Sequence, residues 1–179
     1  MPARELESAI TLFLTGRPEL EAEHWELYPE RVDENIPLSL TLLYPFAPPD
    51  ESEQHVDALR EFFAARPSLA FDLVRLAEFP GSGIYLVPEP DDELRATMRA
   101  LWARFPQYPP YGQSESDPPP HASIGRFAAD PDPDTLVARA EARLQPLLPA
   151  HFDVREATLM EMHEPDRWRV RTTFPLGGG

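Results

Sequence analysis

The chain has 179 residues, a length that suits one domain or two small lobes that share an interface. Its 16 basic and 31 acidic residues give a net charge of −15, whereas a general nucleic-acid binder presents a basic surface to phosphates. The absence of cysteine excludes disulfides, thiolate metal sites and cysteine nucleophiles. We therefore expect no general nucleic-acid binding, and we expect any phosphate ligand to be held locally by a few donors in a cleft.

No targeting or membrane segment is predicted. The N-terminus shows no basic region followed by an apolar run, and the stretch from Ala9 to Leu14 is far too short for a signal core or a membrane span. We therefore expect a cytoplasmic protein without membrane association. A single domain is predicted over 1–176, followed by a glycine tail over 177–179.

The first half of the chain predicts four strands and two helices. Runs of β-forming residues predict strands over 9–14, 37–46, 69–79 and 83–87. An acidic helix is predicted over 19–28. A second helix is predicted after Pro48-Pro49, with Asp50 as its N-cap and Glu53 completing a capping box.

The second half predicts two helices and three strands around a long proline-rich loop. Helices are predicted from Asp91 onward and over 134–144, and the irregular loop covers 105–120. Strands are predicted over 121–127, 152–162 and 167–174. A hairpin turn joins the last two. Because the strands are mixed among helices rather than strictly alternating with them, we expect an α+β fold and not a doubly wound sheet.

Two pairs of polar residues have the spacing that places both members on one face of a strand. His121 and Ser123 form one pair, and Ser39 and Thr41 form the other. The histidine can give or take a proton near its ordinary pKa of about 6.5, and a hydroxyl can donate to a phosphate oxygen. Either pair alone is a weak signal. Together, each on a strand that leads into a helix, they predict a phosphate-handling site.

Aromatic residues near the pairs are candidates for contact with a ligand. A tyrosine among Tyr44, Tyr108 and Tyr111 could stack on a nucleobase at the cleft, and Tyr44 and Tyr111 are the two assigned to the site. Alternatively, tyrosines beside prolines pin the loop to the core, which is the plainer interpretation. Arg126 has the opposite strand parity to His121 and Ser123, so it is expected to point away from the site.

Several segments resemble the 2'-5' RNA ligase-like family of the two-histidine (2H) phosphoesterases. Residues 37–46, Pro-Leu-Ser-Leu-Thr-Leu-Leu-Tyr-Pro-Phe, resemble its first motif, Pro-x-His-Val-Thr-Leu-Leu-Tyr-Pro-Phe. Residues 105–112 and 120–124 resemble its loop and second motif, and residues 168–176 resemble its last strand. The resemblance runs from about residue 9 to 176. It implies a bilobal α+β fold, with two pseudo-symmetric antiparallel-sheet lobes and outer helices around a central cleft.

The chain departs from the family at the first histidine, which aligns with Ser39. Thr41, His121 and Ser123 match the residue types that the family has at these positions. The family mechanism uses one histidine as general base and the other as general acid, and two hydroxyls hold the non-bridging phosphate oxygens. Because a serine hydroxyl does not titrate near neutral pH, we expect ordinary two-histidine turnover to be severely weakened or lost.

Two substitutes for the missing histidine are open. His24 lies in a segment of uncertain structure and could supply a proton, whereas His55, His151 and His163 are expected on the surface, which is also the plain interpretation of His24. Ser39 could instead act as a nucleophile with His121 as its base, but this requires the two side chains to approach within about 2.6–3.2 Å.

Three functions therefore compete. The leading hypothesis is a phosphodiesterase-type hydrolase acting on a nucleotide or RNA phosphodiester such as a 2',3'-cyclic phosphate, with His121 as the surviving acid or base. The second is a catalytically inactive module that binds a small nucleotide or RNA-end phosphate through Thr41, His121 and Ser123. The third is an interaction protein on the same fold. We expect neither a metal nor a cofactor in any of them.

Overall fold

Two four-stranded antiparallel sheets form the fold, which a computed structural model describes for residues 5–177. Strands are numbered in chain order. The first sheet contains, side by side, β2 (Ser39–Leu43), β1 (Ser8–Phe13), β7 (Glu156–Glu164) and β8 (Arg167–Pro175). The second sheet contains β5 (Ala122–Arg126), β4 (Gly83–Glu89), β3 (Leu69–Phe79) and β6 (Ala150–Val154). The predicted α+β fold is confirmed.

Helices cover the outer face of each sheet. They are α1 (Pro18–Leu27), α2 (Glu30–Glu34), α3 (Pro49–Ser52), α4 (Val56–Ala64), α5 (Asp92–Arg104) and α6 (Leu136–Leu144). Helix α4 packs on β8 and α5 on β2, whereas α1 contacts β5 and α6 contacts β3. The packing follows from helical spacing, since Leu136, Ala140 and Leu144 recur every four residues on α6 and are all buried.

Strand alternation separates the core from the site. In β2, Leu40 and Leu42 are fully buried under the helices, whereas Ser39 and Thr41 face the other way and are half-buried. Each buried leucine contributes about 1.5–3 kcal/mol to folding, so a register slip that reversed the two faces of this strand would be costly. The apolar residues of β2 therefore fix the direction in which its two hydroxyls point.

One predicted strand is in fact two. The run over 152–162 divides at Arg155, and its parts, β6 and β7, belong to different sheets. Buried and exposed residues alternate along β6, whereas every residue of β7 from Ala157 to Met162 is buried. The run was predicted as one strand because apolar residues lie on both sides of Arg155.

The predicted N-cap at Asp50 is wrong. Pro48 caps α3 and Pro49 occupies its first position, where proline's fixed φ suits a helix start, and no side chain caps the helix. Glu53 begins a 3₁₀ turn before α4 and pairs with Arg171 instead of completing a capping box. Helix α2 was also not predicted; Asn35, at φ 60°, ends it.

The ends of the chain are described in part. Gly177 donates its N–H to the carbonyl of Arg66 at 2.6 Å, and the glycine tail predicted over 177–179 stays a prediction. Gly178 and Gly179 lie outside the described residues, as do residues 1–4, and the domain predicted over 1–176 stays a prediction. Within the described part of the chain, no helix is both long enough and apolar enough to span a membrane.

Candidate functional site

The two polar pairs face each other across one cleft. Strands β2 and β5 are edge strands of their sheets, and they contact each other where the sheets meet. The cleft beside this junction has a volume of about 460 Å³. All six residues predicted for the site line it: Ser39, Thr41, Tyr44, Tyr111, His121 and Ser123. The structure therefore brings together residues that are as far as 84 positions apart in the chain (Ser39 to Ser123).

His121 has a defined tautomer. Its Nδ1 lies 2.7 Å from the carbonyl oxygen of Pro119. Because a carbonyl can only accept a hydrogen bond, Nδ1 carries the proton of the neutral ring, and Nε2 keeps a lone pair. The hydroxyl oxygen of Tyr111 lies 3.5 Å from Nε2 and can donate to it. In its neutral form, His121 is therefore arranged to accept a proton in the cleft.

The surroundings of His121 favour the neutral form. Its side chain packs edge-on against two aromatic rings, with centroid distances of 4.9 Å to Phe79 and 5.5 Å to Tyr85, and the residue is only 9% exposed. Burial lowers the pKa of His121 below its ordinary value, although the bond to Pro119 opposes this effect. We therefore expect an unprotonated Nε2 at neutral pH, as a general base requires.

Tyr111 holds the proline-rich loop against β2. Its backbone N–H donates to the carbonyl of Tyr44 at 2.6 Å, and its φ of 52° is in the left-handed region, which is unusual for a non-glycine residue. Desolvation raises the pKa of its hydroxyl, and the charge of Arg31 opposes the rise. The residue remains 42% exposed. Tyr111 thus both pins the loop and presents its ring to the cleft, so the two interpretations of the sequence are compatible.

An apolar platform adjoins the polar pairs. Ala9, Met160, Met162 and Trp168 form a cluster of their own, separate from the main core, and all four line the cleft. Tyr44 packs against this platform, with its ring centroid 6.2 Å from those of both Trp168 and Tyr111. The cleft therefore combines a part lined by hydroxyl groups and an imidazole with an apolar part.

Comparison with known proteins identifies the family. A family model described as the 2'-5' RNA ligase superfamily matches residues 15–166. The chain belongs to this superfamily. Its sequence resemblance to the 2H phosphoesterases is thereby confirmed, whereas the alignment of Ser39 with the family's first histidine stays a prediction. No curated protein sequence matches the chain significantly.

Several solved structures share the fold of this chain. TT0787 of Thermus thermophilus aligns with a TM-score of 0.62 at 16% identity, covering 96% of this chain and 98% of that one. E. coli LigT complexed with 3'-AMP aligns at 0.61 and 16% identity, covering 95% and 97%. Kluyveromyces marxianus Usb1 aligns at 0.50 and 16% identity, covering 96% and 98%. At these identities the likeness concerns the fold, and it confirms the predicted bilobal 2H architecture.

Arg126 lines the cleft, contrary to the prediction from strand parity. The register between β4 and β5 shifts, because Tyr85 pairs with Ser123 whereas the preceding residue, Ile84, pairs with Gly125. The resulting bulge at residue 124 reverses the parity of everything after it. Simple alternation could not have revealed this, since nothing in the sequence marks the bulge apart from Gly125.

Arg126 shares an aromatic ring with a second arginine of the cleft. The guanidinium carbon of Arg31 lies 4.5 Å from the Tyr28 ring centroid, and that of Arg126 lies 6.0 Å from it. Arg31 pairs with Glu34 at 2.8 Å and Arg126 with Glu30 at 3.4 Å. Each pair engages one terminal nitrogen of the guanidinium group. Both arginines therefore keep other N–H donors at the rim of the cleft.

No other histidine of residues 5–177 lines the cleft. His24, expected on the surface or as a substitute base, is 1% exposed and donates Nε2–H to the carbonyl of Ile36 at 3.0 Å. Burial lowers the pKa of His24 to about 4. His55 was also expected on the surface, but it packs among aromatic rings, with Nε2 3.1 Å from the Tyr108 hydroxyl. His151 and His163 are exposed, as predicted.

The alternative serine nucleophile lacks its base. Among the described residues no hydrogen bond joins Ser39 to His121, although such a bond is the defining contact of an activated serine. The same part of the chain contains no cluster of histidine, aspartate or glutamate side chains that could hold a metal ion. The arrangement can therefore accept one proton at His121 and donate several hydrogen bonds from hydroxyl groups.

Proposed function

We propose that this superfamily member binds, and slowly hydrolyses, a nucleotide or RNA-end phosphodiester such as a 2',3'-cyclic phosphate. One observation carries the proposal: the Ser39–Thr41 pair of β2 and the His121–Ser123 pair of β5 line the same cleft. The first pair supplies hydroxyls, and the second supplies a hydroxyl and a base.

Each residue of the two pairs has a role in hydrolysis. Nε2 of His121 accepts a proton from a water molecule as the water oxygen bonds to phosphorus. The bond from phosphorus to one ribose oxygen breaks, and that oxygen takes a proton from solvent. The hydroxyls of Ser39, Thr41 and Ser123 donate to the non-bridging oxygens. Because a positioned acid is typically worth about 10²–10⁴-fold, its loss at position 39 makes turnover slow.

The shape of the cleft supports a small nucleotide. The apolar platform of Ala9, Met160, Met162 and Trp168 offers a surface for a nucleobase beside the two polar pairs that would bind the phosphate. Solved structures of this fold include E. coli LigT complexed with 3'-AMP and with NADP+. The net charge of −15 disfavours a long RNA strand, whereas Arg31 and Arg126 in the cleft offer local N–H donors to a short one.

A second candidate is a binding module without turnover. It is favoured by the lack of a second histidine in the part of the cleft formed by residues 5–177. Such a module would keep the residues that bind the phosphate and the platform that contacts the nucleobase. It would release its bound nucleotide unchanged. An interaction protein on the same fold would use neither.

The test measures hydrolysis of 2',3'-cyclic nucleotides and of short RNA ending in a cyclic phosphate. Four proteins are compared: wild type, Ser39→His, His121→Ala and the control His163→Ala, which removes an exposed histidine outside the cleft. The proposal expects weak wild-type turnover that His121→Ala abolishes and His163→Ala leaves intact. Binding of 3'-AMP by calorimetry accompanies each assay.

The outcomes separate the three functions. Wild-type turnover that depends on His121 supports the hydrolase. Ligand binding without wild-type turnover, with activity restored by Ser39→His, supports the binding module. If no variant hydrolyses or binds a nucleotide, the proposed function is wrong and the interaction protein becomes the leading interpretation.

A further inference from the structure

A row of threonines crosses the cleft face of the first sheet. Thr41 of β2 lies opposite Thr11 of β1, and Thr11 lies opposite Thr158 of β7. Directly opposite residues of neighbouring strands point to the same face. The three side chains therefore stand next to one another on the face that carries Ser39.

Two of these threonines have unpaired hydroxyls. Thr11 is 4% exposed and Thr158 is 1% exposed, and the Oγ1 atom of each has no hydrogen-bond partner among the described residues. Buried hydroxyls are nearly always paired, because leaving one unpaired forfeits its hydration without replacing it. Two orphaned hydroxyls side by side therefore require a reason.

The two threonines differ in their relation to the cleft. Thr11 lines the cleft, whereas Thr158 does not. Thr11 is also the direct neighbour of Thr41 and the diagonal neighbour of Ser39, which lies opposite Phe13 two residues further along β1. The orphaned hydroxyl of Thr11 is thus within the group of side chains to which the phosphate is assigned, and the orphaned hydroxyl of Thr158 is not.

We propose that Thr11 is a third phosphate-binding hydroxyl on the first sheet, acting beside Ser39 and Thr41 where the superfamily has a histidine and a single hydroxyl. This inference rests on the proposed function. Oγ1 of Thr11 is shielded in the present rotamer. A rotation about χ1 exchanges its position with that of the methyl group and turns the hydroxyl toward a ligand oxygen.

The chemistry suits a site that binds more than it turns over. The non-bridging oxygens of a phosphate ester carry its negative charge, and each can accept more than one hydrogen bond. A hydroxyl cannot transfer the catalytic proton near neutral pH, but it can stabilise this charge in the bound state. Thr11 therefore replaces binding energy lost with the histidine, and it does not replace the acid.

The experiment measures both nucleotide binding and thermal stability in each of four proteins. Calorimetric titration with 3'-AMP and with 2',3'-cyclic AMP compares wild type with Thr11→Val, Thr11→Ser and Thr158→Val. Valine keeps the shape of threonine and removes the hydroxyl, whereas serine keeps the hydroxyl. Thr158→Val is the matched control, since it removes the neighbouring orphaned hydroxyl outside the cleft.

We expect Thr11→Val to weaken the binding of both ligands about tenfold, as the loss of a hydrogen bond to a charged group requires. Thr11→Ser and Thr158→Val should remain within about twofold of wild type. Both valine variants should unfold at a temperature equal to or above that of wild type, because each removes an unpaired buried hydroxyl. This readout shows that any loss of binding by Thr11→Val is not caused by misfolding.

Two results overturn the inference in different ways. If wild type binds and Thr11→Val binds equally well, or if Thr158→Val loses as much affinity as Thr11→Val, Thr11 is not a ligand for phosphate although the proposed function stands. If wild type binds neither nucleotide, the proposed function itself is wrong, and the role of Thr11 is wrong with it.

Discussion

The β5 side of the cleft presents a histidine with a fixed tautomer, whereas the β2 side presents hydroxyl groups and an apolar platform but no histidine among the described residues. On the β5 side, Pro119 sets the protonated nitrogen of His121, and aromatic rings surround the imidazole. On the β2 side, Ser39 and Thr41 stand beside the orphaned hydroxyl of Thr11. One side is therefore equipped to move a proton and the other to hold charge. The proposed function therefore predicts that the cleft binds its phosphodiester well and turns it over slowly.

Restoring a histidine on the β2 side should produce the largest change. Ser39→His places an imidazole across the cleft from His121, where it can protonate the leaving oxygen. We expect hydrolysis of 2',3'-cyclic AMP to rise by about 10²–10⁴-fold in kcat, the usual worth of a positioned acid. Steady-state kinetics on wild type and variant measure the gain. An unchanged kcat, with nucleotide binding intact, would mean that the two sides do not face a common phosphate.

The pH dependence of hydrolysis should differ between wild type and Ser39→His. The active form of His121 is neutral, and burial lowers its pKa below the ordinary value. Wild-type kcat/KM should therefore rise about tenfold per pH unit below that pKa and become level at a lower pH than it would for a histidine of ordinary pKa. In Ser39→His the new imidazole acts only when protonated, so its profile should fall again at higher pH. A wild-type profile with a maximum would indicate a second titrating group on the β2 side.

His24 should control stability and not catalysis. Its pKa is about 4 in the folded protein because of burial, against 6.5 in the unfolded chain. The unfolded chain binds more protons between these values, so stability is complete above pH 6.5 and falls as the pH decreases toward 4. The loss from this one group is roughly 3 kcal/mol.

The variant His24→Gln separates the two roles. Glutamine can still donate to the carbonyl of Ile36 but does not titrate, so urea unfolding should show a smaller decrease between pH 6.5 and pH 4.5 than in wild type. The pH profile of hydrolysis should be the same as that of wild type. A changed catalytic profile would return His24 to consideration as the missing proton-transfer group.

Sequence patterns predicted the fold and both polar pairs because each depends on local regularity. Alternation in β2 places Ser39 and Thr41 on one face whatever the rest of the chain does. Arg126 was misplaced because a single bulged residue reverses parity, and Trp168 was not assigned to the site because its position depends on the pairing of β7 with β1. The orphaned hydroxyl of Thr11 could not be predicted either, since an unpaired group is defined only once all its neighbours are known.

Substitution of Trp168 should weaken the binding of the nucleobase and leave hydrolysis at the phosphate unchanged. Trp168 is 7% exposed and belongs to the platform on the β2 side of the cleft. Replacing it with leucine keeps an apolar contact but removes the aromatic face, so we expect 3'-AMP to bind about tenfold more weakly. Calorimetry measures the change, with Trp25→Leu, a tryptophan outside the cleft, as control. Equal weakening for inorganic phosphate would show that Trp168 supports the phosphate ligands instead of a base.

Removing the Tyr111 hydroxyl should have the smallest effect. The hydroxyl lies 3.5 Å from Nε2 of His121, the outer limit of a hydrogen bond, whereas the 2.7 Å bond to Pro119 fixes the ring from the other side. Tyr111→Phe keeps the ring, the backbone bond to Tyr44 and the loop. We therefore expect kcat to decrease by no more than about threefold, because Tyr111 only adjusts an imidazole that Pro119 already orients.

The same variant tests whether the β2 side truly lacks an acid. If Tyr111 were protonating the leaving oxygen, Tyr111→Phe would lower kcat by about 10²–10⁴-fold without changing the binding of 3'-AMP. The raised pKa of the hydroxyl, caused by desolvation, argues against a ready proton donor. A large loss would mean that Tyr111 is the acid and that both proton transfers occur near His121. The β5 side would then perform the chemistry and the β2 side the binding, and no acid would be missing.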